Sequence, residues 1–147
     1  MIVDAKNIGD QGRLHEQSRI RNQTDDLRKT QVIETCSFHL NSEISVAVQS
    51  AITDFNRTVG PGSDRAIDSY LVGPYSRLMK SSHPSICVTA IVRPETHCIE
   101  IECVKGEDRS VEYLALDVAS DWVVSIHDRD KVVTERELAD KLINYFA

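Results

Sequence analysis

Three of the chain's four cysteines fall in one short stretch, CVTAIVRPETHCIEIECVKG, as Cys87, Cys98 and Cys103, beside His97, Glu100 and Glu102. Thiolates, imidazoles and carboxylates are zinc's ligand types, and a structural zinc site needs four of them converging tetrahedrally. Such sites usually draw two ligands from a CxxC knuckle. Here the spacing is C-x10-C-x4-C with no knuckle, and a CxxC redox pair is absent as well. The stretch also alternates apolar and polar residues with a period of two, the signature of a half-buried strand. A β-hairpin therefore accounts for it better than a metal centre, and no cofactor is implied.

Register sorts these residues. With a turn at Pro94-Glu95, Val92 faces His97, Ala90 faces Ile99, Val88 faces Ile101 and Ile86 faces Cys103. One face becomes wholly apolar, which fixes register in a half-buried sheet. Cys87 and Cys98 then lie on the other face, offset along the strands, and Cys103 lies in the core. Cys36 reads as a small buried hydrophobe. Continuing through a KGEDR turn, with Val104 facing Ser110, brings His97 opposite Asp117. That pair could orient an imidazole for general-base work, and His97 and Asp117 are the catalytic candidates. Tyr113 and His39 are further polar groups for a ligand cavity between sheet and helix. No nucleophile can be placed beside them. The HDRD run at 127–130 reads as a turn built by Asp side chains.

On the face away from the core, the same register places Ile91, Cys98, Leu114 and Leu116 as an apolar patch flanked by Glu100, Glu102 and Glu112. These seven residues are the candidate binding surface, to be covered by the N-terminal arm, a second copy or a partner protein.

The elements that must position these groups follow from periodicity. Residues 1–30 form a polar N-terminal arm or helix, and 31–147 a single α+β domain. QVIETCSFHL at 31–40 partly alternates (Val32, Cys36, Phe38, Leu40) and reads as a strand. SEISVAVQSAITDFNRT at 42–58 carries an apolar stripe of Ile44, Val48, Ala51 and Phe55 at helical spacing, ended by Gly60-Pro61-Gly62. Residues 63–84 are the least legible: SYLVG suggests a strand and PYSRLMKSS a short helix starting at Pro74. The period of two then gives four strands, ending with WVVSIH at 122–127. A capping box of Thr134 and Glu137 opens a final helix over 135–146. The expected fold is α+β, an antiparallel meander of four to five strands packed by a central helix and a short C-terminal helix.

Composition limits the function classes. At 147 residues the chain is about one domain, and at that size roughly 70% of the unfolded surface can be buried. No apolar run reaches the ~20 residues of a membrane span, and the N-terminus lacks the apolar segment of a secretory signal. A cytoplasmic location with reduced thiols follows. The net charge is −6. Residues 81–147 hold seven basic against thirteen acidic side chains, while residues 1–33 hold six against five. Nucleic-acid binding needs clustered basic charge, so it is disfavoured; the arm with Arg19, Arg21, Arg28 and Lys29 would have to carry it. The sequence points to a small acidic protein-binding module, an adaptor, inhibitor, immunity or chaperone-like protein. It would act as a homodimer or with a protein partner. The alternative is a small-ligand protein or enzyme using His97 and Asp117.

Overall fold

The computed structural model describes residues 5–60, 62–73, 76–119 and 123–147, with side chains from Gln23 onward except Phe38. The expectations for the side chains of Arg19, Arg21, Phe38, Pro74 and Trp122 lie outside what it describes. The order of elements is a helix α1 (Ala5–Val59), seven strands, and a helix α2 (Glu135–Asn144). The strands are β1 (Asp68–Leu71), β2 (Ser76–Ser81), β3 (Ile86–Arg93), β4 (Cys98–Lys105), β5 (Asp108–Val118), β6 (Val124–Asp128) and β7 (Lys131–Val133). They form one antiparallel sheet in sequence order. The α+β class and meander agree with the sequence reading, but the sheet has seven strands instead of four to five. β1 and β2 come from the illegible stretch, and β2 replaces the short helix expected there. β7 is three residues long, too short to show alternation.

The larger correction concerns residues 31–40, which are helical. Val32, Cys36 and Leu40 are spaced by four, so they share one parity and also one helical face. Periodicity over ten residues cannot separate the two. The buried series settles it: Val32, Ile33, Leu40, Ile44, Val48, Ala51 and Ile52 form one continuous stripe, with Cys36 and Phe55 packed beside it. Ile33 breaks the alternation a strand would need. At 1.5 Å per residue the 55-residue helix is about 80 Å long, about twice the span of the 11-residue strand β5. No described helix is long and apolar enough to cross a membrane.

The core lies between the helices and one face of the sheet. Met79, Val88, Ile99, Ile101, Leu114, Leu116 and Ile126 meet the α1 stripe and Leu138, Ala139 and Leu142 of α2. Fully burying one such side chain stabilises by about 1.5–3 kcal/mol. α2 starts where expected: Thr134 accepts from the Glu137 backbone N–H at 3.1 Å, and Glu137 accepts back from the Thr134 N–H. Its Tyr145 hydroxyl donates to Glu112, and Lys141 reaches Glu112 at 3.1 Å. Arg136 donates to Ser50 and Asp54 of α1.

One cation lies deep in this layer. Arg77 on β2, 6% exposed, donates to Ser45 of α1 at 2.6 Å and to Ser69 of β1. Its Nε has no partner among the described groups. Burial lowers its pKa from the ordinary arginine range.

Candidate functional site

Both hairpins differ in register from the sequence expectation, and the differences have opposite consequences. Pro94–Thr96 is a 3₁₀ turn followed by His97 in the left-handed region at φ 51°. The loop is therefore longer than two residues, and Val92 pairs with Ile99, Ala90 with Ile101 and Val88 with Cys103. The slip is by two, so every side chain keeps its face. Ile86, Val88, Val92, Ile99, Ile101 and Cys103 are buried, and Cys87, Ile91 and Cys98 lie opposite.

The β4–β5 hairpin slips by one. Its loop is the tight pair Gly106-Glu107, with Lys105 opposite Asp108 and Gly106 at φ 61°, a conformation glycine adopts without strain. Ile99 faces Leu114 and Cys98 faces Ala115. A one-residue slip turns a strand over. Leu114 (0% exposed), Leu116 and Val118 therefore enter the core, and the patch expected around Leu114 and Leu116 does not form. Glu112 moves with them and serves α2. Val111, Tyr113, Ala115 and Asp117 take the outer face. The missed signal was the two-residue Gly-containing turn.

The outer face can be followed across the strands. One row runs Ser76, Ile91, Glu100, Tyr113; the next runs Leu78, Thr89, Glu102, Val111. A third runs Arg93, Cys98, Ala115, His127, Val132. Both described helices pack on the core face, and this side stays partly open. Tyr113 is 63% exposed, Val132 and Val111 are exposed, and Ile91, Cys98 and Leu78 are half-buried. The glutamates here are not a bare acidic rim. Arg93 donates to Glu100 at 2.9 and 3.1 Å, and Arg109 donates to Glu102 at 3.0 Å. These charge-assisted bonds raise the pKa of both arginines. Aromatic and aliphatic groups lie between these arginine–carboxylate pairs.

The catalytic candidates are not brought together. The His97 ring shares a 2.8 Å hydrogen bond through Nε2 with Thr30 of α1, and its Nδ1 lies 3.6 Å from Asp26. Asp117 lies 3.6 Å from Lys29 of the same helix. The two residues tie α1 to one end of the sheet through separate partners. The link between them is backbone: the Leu116 N–H donates to the His97 carbonyl at 2.8 Å. Tyr113 is on the outer face, and His39 is exposed on α1, 2.9 Å from Glu43. Of the arm's cations, Arg28 pairs with Asp25, and Lys29 with Asp25 and Asp117.

Sequence reading missed one contact with chemical potential, Ser125 Oγ to His127 Nε2 at 2.7 Å on β6. A serine beside an imidazole is the start of a nucleophile–base pair. The carboxylate nearest in register, Asp117 opposite Ser125, is held by Lys29, and among the described residues no carboxylate pairs with His127 to complete it. Among the described residues no three metal-ligating side chains cluster. Burial pushes the Cys103 thiol's pKa up, away from reactivity. A groove of about 720 Å³ between α1 and the start of α2 is lined by Glu43, Val46, Ala47, Ser50, Glu135 and Arg136. It contains none of the sequence candidates. The chain matches no protein-family model, no curated protein and no solved structure.

Proposed function

We propose that the chain is a protein-binding module whose contact surface is the outer face of the sheet, used against a protein partner or a second copy. The observation that carries this reading is a seven-stranded sheet whose outer face stays partly open because both described helices pack on the other side. That face presents Ile91, Cys98, Val111 and Tyr113 between the Arg93–Glu100 and Arg109–Glu102 pairs. Burying it removes apolar area from water at about 25 cal/mol per Å², while the paired charges need no rearrangement. Tyr113 is the natural anchor, since tyrosine is enriched among residues that dominate interface energies. The acidic C-terminal half favours encounter with a basic partner.

Affinity capture from the source cell tests it, with the full chain compared with Val111→Asp and Tyr113→Asp. The reading expects a protein retained by the wild-type chain and lost from both variants, each with an unchanged circular dichroism spectrum. Equal retention by all three would move the contact surface elsewhere on the molecule.

A further inference from the structure

The sheet's first edge carries a second, independent feature. Tyr70, Leu71 and Val72, at 48%, 59% and 60% exposed, are consecutive large hydrophobics at the end of the edge strand β1. Edge strands offer unpaired N–H and C=O groups, and proteins usually blunt them with lysine, proline, a bulge or shortness. The other edge, β7, is three residues long and carries Lys131. Residues 69–72 carry none of these charges or prolines.

The backbone pattern shows which groups are free. The Val72 N–H donates to the Ser76 carbonyl at 3.0 Å. Antiparallel ladders alternate, so Tyr70 and Asp68 also point their backbone groups toward β2, and Ser69, Leu71 and Ile67 point theirs away. Ile67 confirms the phase. Its N–H donates to the Asn56 side chain at 2.7 Å, and its carbonyl accepts from the same side chain at 3.1 Å. Asn56 thus closes the edge at Ile67. Among the described residues, no such cap from α1 reaches the next outward residues, Ser69 and Leu71.

We infer that β1 pairs antiparallel with β1 of a second copy about a twofold axis at Tyr70, joining two seven-stranded sheets into one. With Tyr70 opposite its own counterpart, Ser69 faces the other copy's Leu71 and Asp68 faces Val72. Both Ser69–Leu71 pairs then exchange two backbone hydrogen bonds. Tyr70 meets Tyr70 as a closely spaced non-hydrogen-bonded pair, the position where aromatic cross-strand pairs stabilise most. No like charges oppose each other. Although the chain is acidic overall, Arg65, Arg77 and Lys80 offset Asp64 and Asp68 here, so two copies meet without local acidic repulsion. A self-complementary strand gives a closed twofold pair, whereas β1 on β7 would grow open-ended. This inference is separate from the use of the outer face.

The twofold position supplies the test. Light scattering on the full chain is expected to give twice the 16.5 kDa chain mass. Tyr70→Glu and Tyr70→Lys, each placing like charges opposite, are expected to give the single-chain mass, and their equimolar mixture the doubled mass again. Leu71→Pro removes an outward N–H without touching the β2 ladder and is expected to give the single-chain mass too. A monomeric wild type overturns the inference. So does a dimer that survives these changes, or a mixture of folded charge variants that does not reassociate. A dimer insensitive to β1 changes but dissociated by Val111→Asp would remove the edge pairing and leave the outer-face reading intact.

Discussion

At the scale of single residues, the side chains with chemical potential serve mainly as struts. His97 is held by Thr30 and faced by Asp26. Removing it with His97→Ala should cost about 1 kcal/mol of stability, the net worth of a hydrogen bond, read as a shift in urea midpoint. Glu137 behaves as a cap with a charge. Lys131's hydrogen bond first, then the Thr134 N–H, holds its pKa below the ordinary 4.5. A carboxyl depressed in the folded state contributes stability above its unfolded pKa and loses it as pH falls through the folded value. The difference in urea midpoint between wild type and Glu137→Gln should therefore be largest near neutral pH and shrink under acid. A constant difference would show that the charge is not what Glu137 contributes. Thr134→Ala should cost about 1 kcal/mol.

At the scale of elements, legibility followed the length over which a period could be read. The capping box marked α2 because two side chains announce its first turn. The faces of β3 and β4 survived a register error because the slip was even. The face of β5 did not, because its loop is Gly106-Glu107 and not the five residues KGEDR, which makes the slip odd. Residues 31–40 show the opposite failure: a spacing of four satisfies both periods, and α1's continuity became visible only with Ile33 and the stripe beyond. Asn56, which closes the sheet edge at Ile67, carries no sequence signal, since its partners are backbone groups eleven residues away. The register makes a sharp prediction. Leu114→Ala should cost about 2–5 kcal/mol, while Val111→Ala, three residues away, should stay within about 0.5 kcal/mol. Urea unfolding of the two variants checks it, and equal losses would contradict the facing of β5.

At the scale of the whole molecule, a long helix and a short one protect one side of a wide sheet and leave the other partly bare. The chemistry-bearing residues disperse over this frame: His97 and Asp117 at one end, Tyr113 outside, His39 exposed on α1. What the frame leaves open is an outer face with paired charges and an edge strand that Asn56 closes at Ile67 but not at Ser69 and Leu71. The proposal that the outer face meets another protein can be tested by photo-crosslinking in the source cell. A benzophenone amino acid replaces Tyr113 on the face and, as a control, Gln31, which is exposed on α1 far from the β1 edge. A discrete protein adduct is expected from position 113, with a partner or a second copy, and none from position 31. No adduct at 113, or the same adducts from both positions, would contradict it.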